Sequence, residues 1–182
     1  MFKLNDNVIY PGHGVAVVEE IIEKTVSGAP IQFFKLTFLF KDMTILAPLY
    51  NSTVIGIRCP SSVAEIDQAV GELAKKPDKK LESIDFTPSG WNRRHKDYQL
   101  KIQNGRLLDV AQIYRDLMYI SQQKDLSFGE RAVLQIVEEL FVQEVQIVLS
   151  HEREVVVQML RSSFKQFRFH DRMFSQQEAS IL

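Results

Sequence analysis

The hydrophobic pattern of this chain changes its period once, close to residue 60. Before that point, short runs of β-branched and aromatic residues alternate with turn signals. After it, apolar residues recur every three or four positions, which is the spacing of amphipathic helices. A strand pattern and a helix pattern belong to different kinds of secondary structure. We therefore expect an α+β protein with a strand-rich domain at 1–60 and an all-helical domain at 61–182.

The first sixty residues carry the signals of short antiparallel strands. In the longest run, Phe34, Leu36, Phe38 and Phe40 share one face, as in a half-buried strand. The loop Pro11–Gly14 is interpreted as a hairpin loop. Strands this short and this closely spaced favour a small antiparallel barrel or a curled sheet. They are predicted at 8–10, 15–19, 31–40 and 43–47, with 54–57 as a candidate fifth strand.

The second part of the chain carries helix start and stop signals. Capping boxes beginning at Ser62 and Ser127 predict two helix starts, and Asn104-Gly105 predicts a helix end. Two prolines and a glycine indicate a linker at about 77–90. We therefore predict a helix at 62–76, this linker, further helices over about 90–162 and a tail at 163–182.

Charge and cysteine content restrict the class of protein. The net charge is −1, so this is not a polycation, and any contact with nucleic acid must come from a local patch. The single cysteine, Cys59, forms no internal disulfide and fits a reducing cytoplasm. No basic-then-apolar leader opens the chain, and the most apolar window, 132–149, contains three glutamates. We expect a cytoplasmic protein that does not contact a membrane.

Residues suited to catalysis or metal binding are scattered along the chain. The four histidines and Cys59 lack the close spacing of zinc ligands. Gly12-His13-Gly14 lacks the further glycines and the lysine of a phosphate-binding loop. Cys59 is interpreted as a structural thiol. We therefore expect no enzymatic activity, no metal and no cofactor.

The segment from Ser89 to Arg106 is the most unusual part of the sequence. It holds the only tryptophan, Trp91, and five cations with a single acidic residue follow it. A helix here places Arg94, Tyr98 and Lys101 on one face. Cations on a helix pair with phosphates, and a ring beside them stacks on a base or enters a minor groove. The alternative is that Trp91 anchors a small core and the cations are a solvated face. The Pro-Ser-Gly break before Trp91 favours the first interpretation.

The tail carries a weaker version of this pattern, in which four phenylalanines between 164 and 174 interleave with four cations from 161 to 172. These residues fit a contact with nucleic acid or a membrane surface. Docking of the rings onto the helical domain is the favoured alternative, because four phenylalanines are costly to leave in water.

Several segments, in order, resemble the CarD/CdnL family of bacterial RNA polymerase-binding transcription regulators, whose first module also occurs in transcription-repair coupling factors. The resemblance covers about residues 2 to 150. In the first domain it rests on FKLNDNVIYPGHGV from Phe2 and DMTILAP from Asp42. In the second it rests on WNRRHK from Trp91, VAQIYRDL from Val110 and LSFGER from Leu126.

For the first domain, the resemblance implies a Tudor-like β-barrel that binds the RNA polymerase β subunit. In the family, pairing along an exposed strand edge makes this contact, and the matching edge includes Thr44, Ile45 and Leu46. Leu46 stands where family members can carry an arginine, so the contact is expected to be weaker or more apolar. Lys24 matches another basic position that is sometimes used for this contact.

For the second domain, the resemblance implies a contact with promoter DNA just upstream of the melted region. Trp91 matches the tryptophan that enters the minor groove at the junction of duplex and single strands. Arg93, Arg94 and Lys96 match positions associated with contact to the DNA backbone, and Lys101 belongs to the same basic segment. The expected protein is a monomeric adaptor that stabilises the open complex with little base-specific recognition. The alternative is a protein-interaction module without a functional DNA contact.

Overall fold

The structure is a computed structural model that describes residues 2–75 and 87–164. The sheet domain and most of the helical domain lie within these ranges. The greater part of the predicted linker, through residue 86, and the predicted tail from residue 165 lie outside the described residues.

The first domain is a curled four-stranded antiparallel sheet whose strands follow one another in chain order. A two-residue turn joins β2 and β3, and both its residues, Ser27 and Gly28, have positive φ, as a twisted hairpin requires. The strands are β1 (Asn7–Tyr10), β2 (Gly14–Val26), β3 (Ala29–Phe38) and β4 (Thr44–Pro48). This confirms the expected α+β class with a Tudor-like first domain. It also shows that β2 runs seven residues beyond its predicted end at residue 19.

The core of the first domain lies on one face of the sheet. Phe34, Leu36 and Phe38 are buried there together with Val8 and Val18, which confirms the predicted apolar face of the long strand. Phe40 is the exception, because the strand ends at Phe38 and the Phe40 ring is exposed.

The candidate fifth strand at 54–57 is wrong, because the chain forms a helical turn there. A 3-10 turn, Leu49–Asn51, leads into the short helix α1 (Ser52–Ile55). Leu49 and Ile55 both pack against the sheet core. Burial of these two side chains by one turn outweighs the β propensity of a Val-Ile pair. After Gly56, which has a φ of 86°, Arg58 forms an isolated bridge with Ile9 of β1.

The second domain consists of helices that begin and end close to their predicted limits. Both capping boxes are formed, by Ser62 with Glu65 and by Ser127 with Glu130. One helix begins earlier than the predicted residue 90, because Thr87 caps it and a proline occupies the first helical position. The helices are α2 (Val63–Leu73), α3 (Pro88–Asn104), α4 (Leu107–Gln123), α5 (Phe128–Leu149) and a last helix, α6, over residues 153–164.

A continuous apolar core holds these helices together. Its members come from α2 to α6 and include Leu73, Ile113, Leu117, Phe141 and Leu160. A buried ion-pair cluster also joins α2 to α4, where Arg115 contacts Glu72 and Asp116. No helix in the described part of the chain is both long and apolar enough to cross a bilayer.

The two domains are in contact, and the loop Pro11–Gly14 lies at the junction. Gly14 has a φ of 101°, and a Cβ atom there would lie 2.0 Å from Oε1 of Gln143 on α5. Pro11 packs against Gly105 at the turn between α3 and α4. The loop therefore serves as the docking point for the helical domain as well as a hairpin loop. The division into 1–60 and 61–182 stays a prediction.

Candidate functional site

Trp91 lies in the first turn of α3, where its indole packs against the start of α5. A Cβ atom on Gly129 would lie 3.0 Å from Cζ2 of the indole and 3.4 Å from Nε1. The His95 ring packs beside the indole, with the ring centroids 5.0 Å apart. The side chain is half-buried at the edge of the helical core. The indole therefore does not project freely into solvent, because α5 supports one side of it.

The face shared by Arg94, Tyr98 and Lys101 points into the domain. Tyr98 is only 5% exposed. Arg94 lies 3.4 Å from a carboxylate oxygen of Glu130 on α5, and Lys101 donates to Gln112 on α4 at 2.9 Å. The predicted grouping of the three residues is confirmed. Its consequence differs, because Arg94 and Lys101 connect helices and are only partly open to solvent.

Arg93 and Lys96 are exposed on the outer face of α3. At about 100° per residue, Arg93 lies about 200° around the helix from Trp91 and Lys96 about 140°. The exposed cations and the indole therefore lie on different sides of α3. Any nucleic acid that contacts all three residues must pass around the start of this helix.

Two exposed residues in the first turn of α5 were missed by the sequence analysis. Phe128, the first residue of α5, is 84% exposed and directly precedes the glycine beneath the indole. Arg131 is also exposed. The available signal was the capping box at Ser127, which places Phe128 at the first position of a helix. We call Trp91, His95, Phe128 and Gly129 the α3–α5 corner, and Arg131, about 200° around α5 from Gly129, lies outside it.

Glu130 holds the α3–α5 corner together from inside. Its carboxylate accepts hydrogen bonds from the Ser127 amide at 2.9 Å and from Nζ of Lys124 at 2.6 Å, and it faces Arg94. Burial acts to raise the pKa of Glu130, but the hydrogen bonds from Lys124 and Ser127 outweigh it and hold that pKa below its ordinary value. A charged Glu130 thus links α5, α3 and the loop before α5.

The second candidate site is the outer edge of β4. Within the described residues, β4 pairs only with β3. The amide of Phe38 donates to the carbonyl of Met43, so the ladder alternation directs the backbone N–H and C=O groups of Thr44 and Leu46 toward the free edge. Thr44 and Leu46 have exposed side chains, whereas Ile45 packs on the sheet core.

Lys24 is exposed but lies away from β4. It pairs with Ile31 in the part of the β2–β3 hairpin that extends beyond the other strands. The last row that includes β4 joins Ile22, Phe33 and Pro48, and Lys24 lies two residues further along β2. The structure therefore does not bring Lys24 into one cluster with Thr44, Ile45 and Leu46.

Features suited to catalysis or metal binding are sparse in the part of the chain that the structure describes. No group of three histidine, cysteine or acidic side chains there is placed to hold a metal ion. Cys59, interpreted as a structural thiol, is exposed. It lines a cavity of about 470 Å³ at the domain junction, together with Arg58, Ser61 and Arg106.

Comparison with known proteins gives matches to both domains in the same order. Residues 2–58 match the family model described as the CarD-like/TRCF RID domain, and residues 80–161 match that of the CarD C-terminal domain. A Bacillus subtilis (strain 168) protein named "Putative transcription factor YdeB" is 26% identical over 148 residues. That alignment covers 81% of this chain and 92% of the relative.

Proposed function

Since the chain belongs to the CarD family of RNA polymerase-interacting transcription regulators, we propose that it stabilises the promoter open complex. In this proposal, β4 binds the polymerase β subunit, and Trp91 enters the minor groove at the upstream edge of the melted DNA. The protein acts as a monomeric adaptor without catalysis, in the bacterial cytoplasm, and reaches the nucleoid through polymerase.

The free edge of β4 supports the polymerase contact. Among the described residues, the outward backbone groups of Thr44 and Leu46 have no strand partner and lie at the spacing that an added strand needs. Main-chain hydrogen bonds supply affinity in such docking, and alternate side chains supply specificity. The exposed Leu46 side chain adds an apolar contact in place of a charged one.

The packing of Trp91 against its neighbours is the observation on which the proposed DNA contact rests. An indole that wedges into a base step must keep its orientation while it separates the bases. Gly129 and His95 support the ring of Trp91 on two sides, so less side-chain freedom is lost on binding. Phe128 adds an exposed ring at the same α3–α5 corner.

In this proposal, exposed cations supply the contacts with the DNA backbone. Arg93 and Lys96 on the outer face of α3 pair with phosphates, while Arg94 and Lys101 hold the helix in position. The net charge of −1 does not favour strong general DNA binding. Docking on polymerase compensates by raising the local concentration of the helical domain near the promoter.

The mechanism follows from differential binding to two DNA states. A group that fits opened DNA better than closed duplex shifts the equilibrium toward the open complex. Unstacking costs least at the junction, where pairing is already lost. A differential contact of about 1.4 kcal/mol changes the ratio of the two states about tenfold.

Replacement of the tryptophan tests the proposal. We expect Trp91→Ala to shorten the lifetime of the open complex formed by purified polymerase, without loss of binding to a β-subunit fragment. Leu100→Ala is the matched control, because Leu100 is a 54% exposed apolar residue on the far side of the same helix. An unchanged lifetime with Trp91→Ala excludes the wedge role.

The half-burial of Trp91 supports the alternative, a protein-interaction module without a functional DNA contact. In that case the indole serves only to join α3 to α5. Trp91→Ala then lowers the melting temperature, and the wild-type protein binds the β-subunit fragment without any effect on open-complex lifetime. The two proposals are thus separated by one kinetic measurement.

A further inference from the structure

Arg58 and Glu144 form an ion pair across the junction between the two domains. The guanidinium of Arg58, which follows the sheet, meets the carboxylate of Glu144 on α5 through two parallel hydrogen bonds of 2.7 Å each. The same guanidinium donates from Nε and Nη2 to the carbonyl of Gly105, at 2.8 and 2.6 Å. One side chain of the first domain is therefore bound to two separate elements of the second.

The carboxylate of Glu144 has further partners. The backbone amide and the hydroxyl of Ser61 both donate to its Oε1 atom, at 2.8 and 2.7 Å. The Glu144 side chain is only 4% exposed. A buried ion pair stabilises one arrangement only when its geometry is good and its remaining hydrogen-bonding capacity is used. Both conditions hold at Glu144.

A second contact lies beside this ion pair. The amide of Val15 approaches Oε1 of Gln143 at 3.4 Å, and a Cβ atom on Gly14 would lie 2.0 Å from the same oxygen. A Cβ atom on Gly105 would lie 3.1 Å from Cγ of Pro11. Rotation of one domain against the other must break both this close packing and the ion pair.

We infer that Arg58 and Glu144 are positioning residues that fix the orientation of the polymerase-binding domain relative to Trp91. This inference rests on the proposed function. A flexible tether supplies only local concentration, whereas a fixed orientation also removes the cost of aligning the helical domain with the DNA. Docking of β4 on polymerase then determines where the α3–α5 corner meets the promoter.

Loss of the ion pair tests this positioning role. We expect Arg58→Met to leave the affinity for a β-subunit fragment unchanged but to shorten the open-complex lifetime at saturating protein about threefold or more. Arg58→Lys, which retains the charge and loses the paired geometry, should give an intermediate lifetime. The control is Arg153→Met, which breaks a more exposed Arg–Glu pair between the start of α6 and Glu139 of α5, inside the helical domain.

A distance measurement tests the fixed orientation without polymerase. Spin labels are placed on Asn7→Cys in β1 and Gln135→Cys in α5, both exposed positions, with Cys59→Ser to remove the native thiol. We expect one narrow distance distribution, which broadens with Arg58→Met and stays narrow with Arg153→Met. A broad distribution in the parent protein overturns the inference, even if Arg58→Met fails to fold.

The kinetic outcomes separate this inference from the proposed function. If Trp91→Ala shortens the lifetime and Arg58→Met leaves it unchanged, the wedge role stands and the positioning role is overturned. If neither variant changes the lifetime, both are overturned. If both shorten it and Arg153→Met does not, the positioning role is supported.

Discussion

The indole of Trp91 lies against Gly129, so close that a methyl group on Gly129 would stand 3.0 Å from Cζ2 of the ring. Trp91 belongs to the first turn of α3 and Gly129 to the first turn of α5. The orientation of the ring is therefore set by how two helix starts meet.

Gly129→Ala should move the indole without unfolding the protein. Alanine favours a helix by about 0.5–1 kcal/mol over glycine, but its methyl group must displace the ring by a few tenths of an ångström. We expect a shifted emission maximum of the single tryptophan, stronger quenching by acrylamide and a shorter open-complex lifetime. Gly71→Ala in α2 is the control, because a Cβ there meets no atom within 4 Å. Identical fluorescence in the two variants would contradict the packing described here.

Proline substitutions at neighbouring positions of β4 should have opposite effects. The amide of Leu46 faces the free edge, so Leu46→Pro should keep the sheet folded and abolish binding to a β-subunit fragment. The amide of Ile45 faces β3, so Ile45→Pro should lower the free energy of unfolding by about 1–3 kcal/mol through loss of a ladder hydrogen bond. Calorimetric titration and thermal melting measure the two effects. Retained binding by a folded Leu46→Pro protein rules out strand addition at this edge.

Substitutions of the cations on the two faces of α3 should have different effects, on DNA binding for one face and on stability for the other. Arg93→Ala and Lys96→Ala should weaken DNA contact and reduce the salt slope of binding by about 1 each, because each removes an exposed phosphate partner. Arg94→Ala should instead lower the melting temperature, because it removes a partner from buried Glu130. Titrations of polymerase–promoter binding at several salt concentrations check the first effect. An equal loss of stability in all three variants would contradict the assignment of faces.

The stability contributed by Glu130 should depend on pH. Because its pKa in the folded protein lies below the ordinary value of 4.5, the contribution is fully present above pH 4.5 and is lost as the pH falls through the lower folded pKa. We expect Glu130→Gln to cost about 1–2 kcal/mol at pH 7 and progressively less below pH 4.5. Thermal melts from pH 7 to pH 3 measure this, with exposed Glu154→Gln as the control. If the stability difference between the wild-type protein and Glu130→Gln were the same from pH 7 to pH 3, the charge of Glu130 would not be the source of its contribution.

Local signals predicted much of the fold because they act within a few residues. The capping boxes at Ser62 and Ser127 and the Asn104-Gly105 stop depend on short-range hydrogen bonds, and all three mark true helix limits. The turn at 54–57 was predicted as a strand because burial of Leu49 and Ile55 by the sheet is a long-range effect. β-branched residues alone do not report it.

The candidate site was predictable in composition but not in orientation. The sequence places Arg94, Tyr98 and Lys101 on one face of α3, but it does not show that this face points into the domain. The support beneath Trp91 comes from Gly129, which is distant in the sequence, and the Arg58–Glu144 pair joins residues 86 positions apart. No local pattern encodes such contacts.

Helix α5 carries Gly129 at its start and Glu144 near its end. Fifteen residues of α-helix span about 22 Å, which corresponds to between six and seven base pairs of duplex DNA. Because an α-helix has a fixed rise per residue, the length of α5 fixes the distance between the indole and the domain junction. Relatives with a longer or shorter α5 should touch the promoter at a register displaced by the same amount.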